Sequence, residues 1–447
     1  MRTLLAIWAA KLSSIAGRLV GKKSSSTPGT IALKIDPNLI RKLSGNITKG
    51  IIVTCGTNGK TTTNNLLNTA LQKCGYTTVC NNLGANMVNG IATAFAQACN
   101  LFGSFQADWA VLEIDEASAR RVFAHLTPDY MIITNLFRDQ LDRYGEIDIT
   151  MDLLNEAIDM AGDVTLILNG DDPLTAQFGE GRKTRYFGIS EQVLPQIDET
   201  KEGRFCAKCG KEQKYHFFHY SQLGDYYCPH CGNKRPDVDF AATEVDLSGS
   251  MKFTVNGTTP IDVNYRGFYN IYNILAVYSA LTVMGIENKN FNQILSDYKP
   301  QIGRMELIDM GKPFILNLAK NPAGFNQAIQ TVMLDKRKKD VIVAINDLAN
   351  DGRDVSWLWD VDFEKLSDEN LNTLSTTGIR LYDISLRFKY ADVKVDRICK
   401  SMKEALTGCL NTDAEVCYVL VNYTALYPTQ TAMLELQKSL NPGGESK

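Results

Sequence analysis

Histidine is scarce in this chain, four residues in 447, and no cysteine stands in a Gly-x-Cys-x-Gly elbow. A hydrolase built on a cysteine nucleophile with a histidine base is therefore excluded, and three of the four histidines (His216, His219, His230) cluster far from any such turn. The N-terminal apolar run, residues 4–10, is cut off by Lys11. It is too short to span a bilayer, and with Arg18, Lys22 and Lys23 behind it, it does not read as a secretion signal. A total charge of −3 gives no general attraction to nucleic acid. Eleven cysteines without a secretion signal imply a reducing compartment, where thiols stay free or bind metal.

What is present points to a soluble globular chain, 44% hydrophobic and 22% charged, long enough for about three domains. Its centre is Ile51-Ile52-Val53-Thr54-Cys55-Gly56-Thr57-Asn58-Gly59-Lys60-Thr61-Thr62-Thr63, a short apolar strand running into a glycine-bounded loop that opens a helix. Gly56 and Gly59 let the backbone curl so that its N–H groups face a polyphosphate, and the helix N-terminus adds a favourable dipole. Lys60 would reach the terminal phosphates, and the Thr61 hydroxyl would ligate magnesium. Thr54 stands where the general pattern has a glycine, so the loop is a variant. Gly56-Thr57-Asn58-Gly59-Lys60-Thr61-Thr62 resembles the nucleotide loop of the Mur ligases and folylpolyglutamate synthetases. Those enzymes use ATP to turn a carboxylate into an acyl phosphate and then an amide.

After a helix at 62–73, apolar strands at 77–80, 109–114, 130–134 and 164–168 alternate with helical stretches. The economical fold is a mostly parallel sheet with helices on both faces and ligands at the carboxyl ends of its strands. Glu113, Asp115 and Glu116 end one strand, as a carboxylate holding magnesium would. The Mur resemblance makes Glu113 the metal ligand, with Glu116 as the reserve. Asn135 opens a stretch similar to the Mur Asn…Asp-His-x-Asp-Arg-Tyr segment, with Gln140 in the histidine's place. Asp171, in Asn169-Gly170-Asp171-Asp172-Pro173, falls at the family's base-contacting segment, although Asp-Asp-Pro is also an ordinary turn.

Cys206-x-x-Cys209 and Cys228-x-x-Cys231, 18 residues apart, have the spacing of a four-thiolate zinc ribbon. With every position filled by sulfur, the zinc would be structural, and polar flanks mark a surface insertion. Residues 239–265 alternate around Asn256-Gly257, a hairpin signal. Gly267 to Ala276 resembles the Mur helix that closes the nucleotide cleft, with Tyr269 for histidine, and places Asn270 at the nucleotide. Gly303-Arg304-Met305-Glu306 matches the Mur hinge, whose arginine reaches the phosphates. Asn317-Leu318-Ala319-Lys320-Asn321-Pro322 is similar to the family's Asp-x-x-His-Asn-Pro loop, which puts the Lys320 cation near a developing acyl phosphate. A strand at 340–345 runs into an acidic, glycine-bearing loop with Trp357 and Trp359, a pair that usually marks a contact. Further strands are expected at 380–384 and 415–421.

The N-terminal 50 residues carry nine Lys or Arg against one acid, Asp36, a local charge of +8. As a helix they put Leu4, Trp8, Leu12, Ile15 and Leu19 on one face. That suits either an interfacial membrane helix or a helix packed on the chain's own core. Residues 24–29 then read as a linker.

With the cysteine ribbon, the Trp loop and the basic helix, the chain resembles over nearly its whole length the Mur-like ligase subunits of lipid II isoglutaminyl synthases. The resemblance implies a central ATP-binding α/β domain (49–300) with parallel sheet and inserted ribbon (203–236), after a basic amphipathic segment (1–48). A C-terminal Rossmann-like α/β domain (301–447) would bind the partner. It further implies ATP-dependent amidation of the D-glutamate α-carboxylate of lipid II at the inner face of the membrane, in the cytoplasm. Ammonia would come from a GatD-like glutaminase subunit, whose catalytic histidine Asp354, or else Asp351, would orient. An ordinary ligase adding an amino acid, and a non-catalytic ATP-dependent scaffold, are the alternatives.

Overall fold

The structure is a computed structural model that describes residues 1–19, 25–82, 85–138, 147–195, 203–287, 290–299, 301–349, 351–367 and 369–440. Gln140 lies outside them. The chain divides into two compact units, the first drawn mainly from residues up to 298 and the second mainly from those after it.

The first unit is built on a nine-stranded sheet. Its strands are β1 (Ile47–Cys55), β2 (Thr78–Cys80), β3 (Ala107–Glu113), β4 (Tyr130–Ile133), β5 (Thr165–Asn169), β6 (Thr184–Ile189), β9 (Phe240–Asp246), β10 (Met251–Val255) and β11 (Thr259–Val263). A separate two-stranded hairpin, β7 (Lys214–Tyr220) and β8 (Leu223–Tyr227), lies between β6 and β9 in the chain. The sheet order is β11-β10-β9-β6-β5-β4-β1-β3-β2, parallel from β2 to β9 and antiparallel through the last two strands. Ile51 to Cys55 and Trp109 to Glu113 are buried without alternation, as strands covered on both faces must be. Asn256 and Gly257 both take left-handed φ, +51° and +64°, at the β10–β11 turn, where only such residues turn cheaply.

Ahead of the sheet, the helices Arg2–Leu19, Thr27–Ile35 and Leu39–Ser44 add Ala6, Ile7, Ala10, Ala32, Leu39, Ile40 and Leu43 to the same core. Residues 27–29 are not linker: they form the first turn of a helix. Pro28 fits there because a first-turn N–H has no partner to lose, and Gly29 is needed because a Cβ would stand 1.8 Å from the Asn89 carbonyl oxygen of the neighbouring helix.

The second unit holds β12 (Glu306–Asp309), β13 (Pro313–Leu318), β14 (Lys339–Ala344), β15 (Leu371–Thr377), β16 (Arg397–Ile398) and β17 (Val416–Val421). Their order is β12-β13-β17-β14-β15-β16, parallel except at β12. The strand expected at 380–384 is instead the start of the helix Leu381–Tyr390. The strand is Leu371–Thr377, whose Ser375, Thr376 and Thr377 are buried in spite of their polarity.

Candidate functional site

At the end of β1 the chain makes the expected tight loop. Gly56 and Gly59 adopt φ of +121° and +84°, and Gly59 opens the helix Lys60–Lys73 without a side-chain cap. The first N–H groups of a helix have no intrahelical acceptor, so this end presents donors. Two donors expected to face phosphate do not. The Thr57 N–H donates to the Asn135 carbonyl (2.8 Å) and the Asn58 N–H to Asn135 Oδ1 (2.9 Å). Asn135 Nδ2 returns a bond to the Asn58 carbonyl at 3.1 Å. Asn135 therefore clamps the loop, and the donors left for an anion are those from Gly59 into the helix where Thr61 and Thr62 sit.

The Lys60 ammonium is buried inside this loop. It donates to the Gly56 and Thr57 carbonyls and pairs with Glu116 at 2.8 Å. Burial works against its charge, but the carboxylates of Glu116, Asp115 and Glu113 outweigh that and hold it above the ordinary lysine range. The two glutamates thus separate. Glu116 is the partner of Lys60, whereas Glu113 at the end of β3 is gripped elsewhere: Oε1 accepts from Asn86 Nδ2 (3.0 Å), and its backbone N–H and carbonyl bond to Asn81, each at 2.8 Å. Glu113 Oε2 is buried with no hydrogen-bond partner, as is the hydroxyl of Thr54, its neighbour in register. An orphaned buried carboxylate oxygen fits a divalent cation, the environment the ligand reading of Glu113 requires.

Asn273, to which the sequence had assigned no role, stands against the loop from the helix Asn270–Val283. A Cβ on Gly59 would lie 2.3 Å from its Oδ1, and Thr63 Oγ1 donates to that oxygen at 3.3 Å. Asn270 Oδ1 accepts from Asn273 Nδ2 at 2.9 Å, so it reaches the loop through Asn273. Asp171 is fully buried, and its oxygens are taken by Arg235 (2.6 Å), Tyr272 (2.8 Å) and the Ile189 N–H (2.8 Å). It shapes this region through that network and does not offer a free carboxylate.

Cys206, Cys209, Cys228 and Cys231 converge, with all four sulfurs within 4.8 Å of one another. Each knuckle turns on a left-handed glycine, Gly210 and Gly232, whose N–H groups donate to the Cys206 and Cys228 carbonyls. Four thiols so placed fit a soft tetrahedral metal ion. The insertion is less superficial than its polar flanks suggest. Gln222, at the β7–β8 turn, is buried and donates to the Leu136 carbonyl at 2.6 Å, next to Asn135, while Arg235 reaches Asp171.

The remaining candidates belong to the second unit. Arg304 is set between two left-handed residues, Gly303 (φ +74°) and Met305 (φ +54°), so the backbone is fixed on both sides of it. Lys320 is half-buried and directly precedes Asn321, whose side chain caps the helix Pro322–Leu334. Asp351 and Asp354 differ sharply. Asp351 is buried and bonded to the Thr424 N–H and hydroxyl, whereas Asp354 is exposed and caps Ser356 at 2.8 Å. The tryptophans separate too. Trp357 packs on Phe325, and Trp359, 53% exposed, meets Tyr390 and the Arg387 guanidinium. Beside Trp359 the helix Leu381–Tyr390 exposes Tyr382, Leu386 and Tyr390, spaced four apart along one side.

A parallel sheet whose first strand feeds a Gly-Lys-Thr loop, with an acidic strand end beside it, defines a phosphate-loop nucleotide-binding α/β protein. Residues 53–281 match the Mur ligase middle domain, and residues 318–426 match the MurT ligase C-terminal domain. The chain is 36% identical, over the whole of both chains, to the lipid II isoglutaminyl synthase (glutamine-hydrolyzing) subunit MurT of Staphylococcus aureus strain COL. It is 34% identical to the subunit of the same name from Streptococcus pneumoniae, covering 95% of this chain and 96% of that one. The chain belongs to the MurT family of Mur ligases. Solved structures share the fold: a pseudomurein peptide ligase type C from Methanothermus fervidus (TM-score 0.72, 24% identity, 88% of this chain and 80% of that one) and MurF from Thermotoga maritima in complex with ADP (TM-score 0.67, 15% identity, 92% and 85%). Among the described residues no helix is long and apolar enough to cross a membrane.

Proposed function

We propose that the chain is the ligase half of a split amidotransferase of cell-wall synthesis, acting on lipid II. ATP phosphorylates the α-carboxylate of D-glutamate in the stem peptide, and ammonia displaces phosphate from the acyl phosphate to leave D-isoglutamine. The observation that carries this reading is the end-to-end match to lipid II isoglutaminyl synthase subunits, joined to a phosphate loop whose buried lysine is already charged. Lys60 and the helix start at Gly59 to Thr62 hold the phosphates. Glu113 and Thr61 would ligate a magnesium ion, which when bound neutralises phosphate charge. Arg304 and Lys320 supply cations for the transferred phosphoryl group. Once the carboxylate is activated, ammonia needs little further help, so positioning and electrostatics provide most of the rate. The four-cysteine ribbon would hold zinc as a structural ion and brace the Leu136 and Asp171 segments.

Ammonia is supplied by a separate GatD-like glutaminase in a heterodimer, since this chain has no cysteine elbow. The loop after β14 and the exposed row Trp359, Tyr390, Leu386 and Tyr382 form its docking surface, with Asp354, the accessible one of the two aspartates, orienting the partner's histidine. The deciding experiment is mass spectrometry of lipid II incubated with the chain, ATP and magnesium. A product about one dalton lighter, as OH becomes NH₂, is expected with ammonium alone, and with glutamine only when the glutaminase is present. No mass change under any donor, with ATP hydrolysed on adding an amino acid, would overturn the reading. Asp354→Asn is expected to abolish glutamine-driven amidation while ammonium-driven amidation stays within about twofold. Loss of neither would remove Asp354 from the partner's site.

A further inference from the structure

The first helix of the chain buries two alanines and one isoleucine and leaves most of its large apolar side chains outside. Ala6, Ile7 and Ala10 are fully buried, whereas Leu5, Trp8, Leu12, Ile15 and Leu19, three and four residues apart, are 43 to 84% exposed. A helix serving only its own core turns its bulky apolar face inward, so this face is built for another contact.

A second element, remote in sequence, joins it. The turn after the helix Val88–Ala98 carries Leu101 and Phe102, 69% and 89% exposed. Trp8 donates its indole N–H to the Leu101 carbonyl at 2.7 Å, and Lys11 donates to the Gln97 carbonyl at 3.2 Å. Leu4 and Ile7 close on Gly103, where a Cβ would stand 3.0 Å from Leu4 Cδ1. The tip is held in shape because Asn100 Oδ1 accepts the N–H groups of Phe102 (2.9 Å) and Ser104 (3.1 Å). Phe102 is therefore presented on a fixed turn beside the helix.

Charge selects the occupant. Arg2, Lys11 and Arg18 lie along the helix, and the one acid among the first 50 residues, Asp36, is buried and paired with Lys42 at 2.7 Å. Two copies of this face would set the three cations of one helix against the three of the other, whereas anionic phospholipid headgroups complement them and the acyl boundary takes up the apolar side chains. We propose that the Arg2–Leu19 helix and the Leu101–Phe102 turn form a two-part wedge that inserts into an anionic membrane surface. The proposal rests on the reading above only for placing the substrate in a membrane.

The test uses the full chain with vesicles of phosphatidylcholine and phosphatidylglycerol in a three-to-one ratio. Phe102→Ser is expected to weaken partitioning about tenfold, the effect of withdrawing one large apolar side chain. Lipids brominated on their acyl chains should quench tryptophan emission, and Trp8→Phe should remove most of that quenching. Quenching unchanged in Trp8→Phe, or partitioning unchanged in Phe102→Ser, overturns the wedge. So does a sedimentation shift to a dimer that Phe102→Ser abolishes. Amidation of detergent-solubilised lipid II by Phe102→Ser separates the two ideas. Activity without vesicle binding in the unaltered chain sinks the wedge alone, and vesicle binding without any amidation sinks the function alone.

Discussion

Each unit sets a helix at the carboxyl end of a parallel strand, and the two helix starts are finished in opposite ways. After β1 the N-cap is Gly59 in a left-handed conformation with no side chain to offer. After β13 the N-cap is Asn321, whose Oδ1 accepts the Gly324 N–H at 2.8 Å, and the next residue, Pro322, has no N–H at all. The geometry of strand, loop and helix is shared. Whether donors remain for an anion is decided by the cap. The first start keeps its donors by using a left-handed glycine that offers no side chain and a buried lysine, and the second satisfies them internally.

The largest expected effect tests what the first start is for. Lys60→Ala should lower ATP-dependent turnover by about a thousandfold, the scale of losing a charge aimed at a reacting phosphate. That substitution also leaves Glu116 buried without its partner, a destabilising change in itself. Measuring Lys60→Ala with Glu116→Gln beside it separates the two. If the double variant folds and regains turnover, the lysine serves the fold and not the phosphates.

Gly59→Ala comes next. A Cβ would meet Asn273 Oδ1 at 2.3 Å while φ stays at +84°, so a cost of about 1–3 kcal/mol in stability is expected, together with weaker ATP binding. Adding Asn273→Ala should recover the steric part and leave the backbone part, and calorimetry of both variants checks this. Full recovery would show that glycine is needed there only for space. Asn135→Ala, which removes the two bonds that the Asn135 side chain makes to Asn58 and leaves the one from Thr134 Oγ1, should cost about 1–2 kcal/mol in ATP affinity by titration while the sheet stays folded. An unchanged affinity would mean that the loop holds its shape without the clamp.

The sequence made some of this legible because the chemistry is local. Gly56, Gly59 and Lys60 sit within one loop, and the cysteine pairs carry their own spacing. What it did not show are partners brought in from a distance. Asn273 arrives more than two hundred residues after Gly59, and Gln222 reaches back from the ribbon to Leu136. Glu113 and Glu116 differ by less than one helical turn in sequence, so only the end of β3 decides that one faces Asn86 and the other Lys60. The fold was misread where polarity concealed burial: Ser375, Thr376 and Thr377 form a buried strand, and Pro28 and Gly29, taken for linker, open a helix. The face of Leu4, Trp8, Leu12, Ile15 and Leu19 fitted either a core helix or an interfacial one by periodicity, and the exposed face has Leu5 in place of Leu4. Its exposure, and the Leu101–Phe102 turn beside it, come from tertiary packing.

The smallest effect sharpens the comparison from the other side. If Asn321 only finishes its helix, Asn321→Ala should cost the second unit about 1 kcal/mol, because the Gly324 N–H loses its acceptor and alanine cannot replace it. Asn321→Gly should cost only a few tenths of a kcal/mol, since without a side chain there is room for water to reach the half-buried N–H. Thermal unfolding of both variants resolves that order, and ATP affinity should not change in either. Equal losses for alanine and glycine would mean that Asn321 does more than cap. A drop in ATP affinity would mean that this helix start, like the one at Gly59, works on the nucleotide, and the distinction drawn between the two would fail.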